Sequence, residues 1–168
     1  GSMPAVSSGS FGGAEGSNIP ADRPANFYNS ISNDDTQGLV GSDYANAFAL
    51  LSNTDEYKYN VITAPGLIND YATHATQITS LVNNSISRGD CIAIIDLVGY
   101  GAQVNTVKTE AAGFDSSYAA TYWPWLQTVD PNTSELVYIP ASAMIPGVYA
   151  YTDASSDPWF APAGITRG

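Results

Sequence analysis

Apolar residues recur along this chain with two different spacings, and their alternation indicates an α/β order. Residues 69–87 are predicted to form a helix closed by Arg88-Gly89, because apolar side chains recur there every three or four residues: Tyr71, Ala75, Ile78, Leu81, Val82 and Ile86. Residues 91–96 follow as an almost uninterrupted apolar run. Such a run is typical of a strand covered on both faces, and so of a central strand in a parallel sheet.

Two elements are predicted before this pair. Residues 44–51 favour a helix capped by Ser42-Asp43, with one apolar face made of Tyr44, Ala47, Phe48 and Leu51. Residues 57–63 are predicted to form a strand that Pro65-Gly66 ends.

Further elements are predicted after the central strand. Residues 101–112 favour a helix, and residues 118–123 favour a strand that ends near Trp123, because Pro124 removes a backbone donor. Residues 125–129 and 135–139 flank a segment with Pro131 and Asn132, which are turn formers, and are therefore predicted to pair as a hairpin.

The last predicted helix lies within residues 141–153, after Pro140. Pro146 falls in its first turns, where a missing backbone donor does least harm. Residues 159–164 then form an apolar loop broken by Pro162. The whole order predicts a mixed α/β fold in which helices flank a largely parallel central sheet, with a small β-hairpin and a flexible N-terminal tail.

Composition sets limits on this picture. The length of 168 residues fits one domain. The net charge of -11, from 16 acidic and 5 basic residues, argues against nucleic acid or an anionic membrane as a partner. No apolar run approaches the roughly 20 residues of a membrane span. Cys91 is the single cysteine, so the chain has no internal disulfide, and its apolar surroundings predict a small core residue.

The first residues are polar and rich in glycine and serine. Gly1-Ser2-Met3 looks like a cloning scar, which favours a piece of a longer protein. We predict that residues 1–10 are a tag and disordered tail, and that residues 11–168 form the domain.

The last third of the chain carries an ordered series of motifs. From residue 117 it runs S-Y-A-A-T-Y-W-P-W, then the hairpin, then V-Y-I-P-A-S-A-M-I-P-G-V-Y-A-Y-T-D, then W-F-A-P-A-G. Upstream lie a glycine-rich segment, 11–16, and a segment ending in Pro-Gly, 59–66. This series resembles the tail sheath proteins of contractile-tailed bacteriophages over residues 11–168. The matching positions are Gly12, Gly13, Pro65, Gly66, Tyr118, Trp123, Pro124, Trp125, Pro140, Ser142, Gly147, Trp159, Pro162 and Gly164.

The resemblance implies a subtilisin-like sheath core that is structural rather than enzymatic and that needs no cofactor or metal. It implies as partners other sheath subunits, the inner tail tube protein, the baseplate and the tail terminator. It places the protein in the virion tail sheath, assembled in the host bacterial cytoplasm. Contraction of the sheath would drive the tube through the host envelope. The family's connecting arms are expected before residue 1 and after residue 168, so this chain is expected to be monomeric in dilute solution. The sheath of a phage-derived contractile bacteriocin or injection system is the alternative within the same class.

Three polar residues are candidates for catalysis, namely His74, Asp96 and Ser142, because their sequence contexts resemble the triad segments of subtilisin-like proteases. Their order differs from that of subtilisins, and Pro140-Ala141 stands where the nucleophile motif would require Gly-Thr. We therefore expect a surface histidine, a strand-end aspartate and a helix-capping serine. A serine hydrolase stays open as an alternative.

Two further sequence features are weaker indications of a binding site. Gly99-Tyr100-Gly101 lacks the remaining glycine and the lysine of a phosphate loop and is predicted to be a turn. A saccharide-binding module stays open because four aromatic residues look exposed: Trp123, Trp125, Trp159 and Phe160. The interleaved prolines favour the alternative that these rings hold loops onto the core.

Overall fold

The structure is a computed structural model that describes residues 41–132, 134–157 and 159–165. The predictions for the tail, residues 1–10, and for Gly12 and Gly13 lie outside the described residues.

The centre of the fold is a parallel sheet of three strands. Its strands are β1 (Val61–Ile68), β2 (Ile92–Asp96) and β3 (Ala119–Thr121), in the spatial order β1-β2-β3. Three helices alternate with them: α1 (Gly41–Leu51), α2 (Ala72–Arg88) and α3 (Val104–Ala111). The prediction of a central parallel strand after the second helix is confirmed. Gly89 ends α2 in the left-handed conformation, at φ 72°, as its position predicted.

The two faces of β2 bury different kinds of residues. Ala93 and Ile95 belong to the main apolar cluster, together with Ile78 and Leu81 of α2. Because side chains alternate along a strand, Ile94 and Asp96 point to the opposite face. That face is covered by the segment that follows the hairpin, so the sheet lies between two layers.

The hairpin consists of β4 (Leu126–Val129) and β5 (Leu136–Ile139), which pair antiparallel. A 3₁₀ helix (Ala141–Ala143) and α4 (Ile145–Ser155) follow, with Pro146 at the start of α4. These elements confirm the predicted hairpin and terminal helix.

Several predicted boundaries are wrong, and three elements begin later than predicted: β1 at Val61 rather than 57, α2 at Ala72 rather than 69, and α3 at Val104 rather than 101. α1 already begins at Gly41, so the predicted capping residues Ser42 and Asp43 lie inside the helix. β3 stops at Thr121 rather than near Trp123. β1 does not end at Pro65-Gly66 but runs through these residues to Ile68.

β1 tolerates its proline because the pairing with β2 is interrupted there. Thr63 pairs with Ile94 and Ile68 with Asp96, so five steps along β1 match two along β2 and three residues are extra. Gly66 supplies the left-handed conformation, at φ 98°, that this bulge requires. Edge strands and bulges are the positions at which a sheet accepts proline.

Arg88 is the last residue of α2, and it is the cationic residue that forms an ion pair within the described part of the chain. Its side chain is only 1% exposed and makes a two-pronged ion pair with Asp90, at 2.9 and 2.8 Å. It also donates to the carbonyls of Leu51, at 2.6 Å, and Tyr57, at 2.9 Å, and lies 4.2 Å from the centre of the Tyr59 ring. The ion pair raises the pKa of Arg88 and lowers that of Asp90.

Replacing Arg88 with Met is expected to lower the midpoint of thermal unfolding by roughly 5 °C or more, because it leaves two carbonyls and a carboxylate without their donor. Circular dichroism would measure this. Lys108→Met, at an exposed position of α3, is the matched control and should change the midpoint little. Equal midpoints for the two variants would contradict the structural role of Arg88.

Candidate functional site at the carboxyl end of the sheet

Asp96 and Ser142 form a buried pair at the carboxyl end of the central strand. Asp96 is the last residue of β2, and Ser142 is the middle residue of the 3₁₀ helix. The backbone N–H of Ser142 donates to Asp96 Oδ1 at 3.2 Å, and its hydroxyl donates to Asp96 Oδ2 in a short hydrogen bond. The pair therefore connects the sheet directly to the layer that contains α4.

The carboxyl group of Asp96 is in an unfavourable place for a charge. Burial raises its pKa to about 6, although the two hydrogen bonds from Ser142 act in the opposite direction. Among the residues that the structure describes, no cationic side chain forms an ion pair with it. At neutral pH the folded protein thus holds an ionised carboxylate with hydrogen-bond donors but no counter-charge.

His74 is the third residue of α2 and is buried, so the prediction of a surface histidine is wrong. Its Nδ1 accepts a hydrogen bond from the backbone N–H of Ile68 at 3.2 Å. A nitrogen that accepts an N–H carries no proton itself, so the proton of the neutral ring lies on Nε2. Nε2 is buried without a hydrogen-bond partner among the described residues. Burial lowers the pKa of this imidazole.

These three residues do not have the geometry of a catalytic triad. In a triad the histidine separates the two other groups, receiving the serine proton at one nitrogen and donating to the carboxylate from the other. Here Ser142 donates directly to Asp96, and His74 is held through Nδ1 by the backbone of β1. The prediction of a helix-capping serine is also wrong, because the residue at the cap of the 3₁₀ helix is Pro140 and Ser142 lies inside the helix without capping a backbone N–H.

Trp125 lies beside this pair and is buried, whereas sequence reasoning placed it with the exposed aromatics. Its Nε1 donates to the carbonyl of Val98 at 3.1 Å, and its ring packs on Ile68 and meets the Tyr100 ring edge-on at 5.9 Å. The other three aromatics are exposed as expected: Trp123, Trp159 and Phe160. Trp125 thus fits the prediction that prolines and aromatics hold this loop onto the core.

Gly99-Tyr100-Gly101 forms a turn, as predicted. Ala102 N–H donates to the carbonyl of Gly99 at 3.3 Å, and Gly101 has φ 80°. The hydroxyl of Tyr71 occupies the space that a Cβ on Gly99 would need, so a larger residue at this position would force the Tyr71 side chain to move.

A small cavity opens at the same end of the sheet, with a volume of about 140 Å³. It is bounded by the end of β2, by α3 and by the connection from β3 to β4. The lining residues are Asp96, Leu97, Val98, Val107, Ala111, Thr121, Tyr122, Trp123 and Trp125. Sequence reasoning missed this cavity, because its walls come from three segments that are distant in the chain.

A contact between two tyrosines was also missed. The hydroxyl groups of Tyr122, after β3, and Tyr149, in α4, form a short hydrogen bond, and their rings meet edge-on at 6.4 Å. Burial, followed by this bond, raises the pKa of Tyr149 to about 12.

The remaining motif positions are spread over the described part of the chain. Tyr118 precedes β3, and its carbonyl accepts the N–H of Ala93 at 2.9 Å. Pro124 follows Trp123 through a cis peptide bond. Pro140 precedes the 3₁₀ helix and Gly147 lies in α4. Pro162 and Gly164 lie in the terminal loop, where Gly164 has φ 89°. These residues lie in separate elements and do not converge on one site.

Within residues 41–132, 134–157 and 159–165, His, Cys, Asp and Glu side chains form no group of three or more suited to a metal ion. No helix in that part of the chain combines the length and apolar character needed to cross a membrane. No protein-family model and no curated protein matches the chain.

Proposed function

We propose that this chain is the core domain of a contractile tail sheath subunit, with a subtilisin-like fold and no catalytic activity. In this role it is a rigid body that polymerises with its copies around the inner tail tube in a virion, and contraction of the polymer drives the tube through the host envelope. The ordered motifs from residue 117 to residue 164 support this proposal. The sheath of a contractile bacteriocin or injection system would use the same domain.

One observation favours a structural role over an enzymatic one. The carboxyl end of a parallel sheet is where α/β enzymes keep their reacting groups. Here the polar groups at that end are engaged with each other, because Ser142 donates both its N–H and its hydroxyl to Asp96. The arrangement holds two layers together. A body that must survive a large rearrangement of its neighbours needs such internal connections.

The proposal is tested by negative-stain electron microscopy of the full-length subunit, expressed alone and concentrated. We expect tubes of uniform diameter. Dispersed subunits, both alone and after addition of the inner tube protein, would overturn the proposal.

This chain is expected to sediment as a monomer at micromolar concentration, because the arms that connect sheath subunits are proposed to lie outside the core domain. Sedimentation velocity at several concentrations would measure this. A dimer that persists on dilution, or tubes formed by this chain alone, would contradict that placement of the arms.

The competing serine hydrolase is tested with a fluorophosphonate probe. Ser142 is 1% exposed and its hydroxyl proton is directed at Asp96 rather than at a histidine, so no labelling is expected. Ser142→Ala is the matched control. Labelling that disappears in this variant would favour the hydrolase.

The saccharide-binding alternative depends on the exposed aromatics Trp123, Trp159 and Phe160. A glycan array tests it, and saturable binding that the Trp159→Ala variant loses would revive it.

A further inference from the structure

The cavity at the carboxyl end of the sheet has the size of a small organic group. Its volume of about 140 Å³ is close to that of engineered cavities, about 150 Å³, which hold a benzene molecule. Trp123 and Tyr122 line the cavity and are partly exposed, at 44% and 38%, so the cavity borders the protein surface at these two rings. A group of about five or six non-hydrogen atoms would fit.

The lining determines which chemistry the cavity favours. Asp96 is the single ionisable carboxylate among the lining residues, and the walls carry no cationic side chain. A carboxylate has about four acceptor positions, and Ser142 fills two of them, so two remain. An anionic ligand would be repelled, and a neutral apolar one would leave the buried carboxylate without a counter-charge.

The aromatic rings in the lining also favour a cationic ligand. Tyr122, Trp123 and Trp125 contribute three π-systems to the lining, and the faces of such rings attract cations. Val107 and Ala111 of α3 supply an apolar side against which a short alkyl chain can pack.

We propose that this cavity binds one alkylammonium group, with the Asp96 carboxylate as its counter-ion and the rings of Tyr122 and Trp123 at its entrance. The group belongs either to a free small amine or to a lysine side chain of another polypeptide. This inference does not rest on the sheath assignment, since it follows from the cavity and its lining alone.

The test is a fluorescence titration of the Trp159→Phe protein, whose two remaining tryptophans, Trp123 and Trp125, both line the cavity. The probe is n-butylammonium chloride. Sodium chloride at equal ionic strength and 1-butanol, a neutral molecule of the same size, are the controls. We expect saturable binding with a Kd on the order of 1 to 10 mM. Binding of 1-butanol with equal affinity, or an equal response to sodium chloride, would overturn the proposal.

Two variants test the site independently. Asp96→Asn removes the charge, and Ala111→Leu fills the cavity without changing the carboxylate. Each is expected to weaken butylammonium binding at least about tenfold, while thermal unfolding verifies that the variants are folded. Unchanged affinity in Asp96→Asn would overturn the role of the carboxylate, and unchanged affinity in both variants would overturn the site.

A final arm distinguishes the two sources of the ammonium group. Nα-acetyl-lysine N-methylamide carries the same group on a peptide backbone. If it binds more tightly than butylammonium, the source is a lysine of another polypeptide. If it binds more weakly, the cavity favours a free amine. If neither probe binds, the proposal is wrong.

Discussion

Replacing Asp96 with Asn is expected to raise the free energy of unfolding at pH 7.5 by about 1 to 3 kcal/mol. Burial raises the pKa of this carboxyl from 3.8 to about 6, so the folded protein favours the neutral form. Asn is neutral at every pH and keeps a carbonyl oxygen that can accept the N–H of Ser142. The substitution therefore removes the cost of an ionised buried group while retaining the connection between the sheet and the 3₁₀ helix.

The sign of the pH dependence follows from this pKa. Between about pH 3.8 and pH 6 the folded state holds more protons on Asp96 than the unfolded state does, so its contribution to stability falls as the pH rises and is constant above that range. The difference in unfolding free energy between Asp96→Asn and the original protein should accordingly grow from pH 4 to pH 6 and then level off. Urea denaturation at four pH values would measure it.

His74 contributes a pH dependence of stability that has the opposite sign. Burial lowers its pKa below the usual 6.5, so the unfolded state takes up a proton first, and the stability from neutral His74 is lost as the pH falls below about 6.5. In the Asp96→Asn variant the opposing contribution of Asp96 is absent, so this decrease in the free energy of unfolding at low pH should become visible. Asp90→Asn is the control, and it should change the free energy of unfolding in the opposite direction. The hydrogen bond from Arg88 lowers the pKa of Asp90, so removing this carboxylate should reduce stability at neutral pH. A difference between Asp96→Asn and the original protein that does not vary with pH would contradict the assignment to Asp96.

Replacing Trp125 with Ala is expected to lower the free energy of unfolding by about 3 to 5 kcal/mol. The ring is 9% exposed, packs on fully buried Ile68, and donates its N–H to Val98. Its removal would leave a void and a carbonyl without its donor at the point where the hairpin meets the sheet.

Trp123→Ala is the matched control, since this ring stands two residues away and is 44% exposed. We expect it to change the free energy of unfolding by about 1 kcal/mol or less. Chemical denaturation of both variants measures the contrast. Equal losses would show that the two rings contribute alike, and the assignment of Trp125 to the core would be wrong.

Much of the fold could be predicted because its signals are local. The apolar run that became β2, the glycine that ends α2 and the turn residues between β4 and β5 each specify their element without distant partners. The path of β1 through Pro65 could not be predicted, because it depends on where the strand lies in the sheet and on the bulge opposite β2.

The candidate site was only partly accessible from sequence. Asp96 and Ser142 were named, but their contact joins residues 46 positions apart and has no local signal. A local signal for the burial of His74 was present in the sequence. His74 stands four residues before Ile78 and seven before Leu81, and so lies on the apolar stripe of α2. The burial of Arg88 had no local signal, because the carbonyls of Leu51 and Tyr57 that accept its hydrogen bonds come from an earlier part of the chain.

The bulge in β1 also affects how the protein behaves when it is crowded. A sheet with free borders invites pairing with another molecule and hence aggregation. Along β1, Pro65 offers no N–H and Gly66 turns the backbone out of the extended conformation, while β3 at the other border is only three residues long. Neither border gives a second molecule a long continuous row of donors and acceptors. The central sheet should therefore contribute little to intermolecular β-pairing at high concentration.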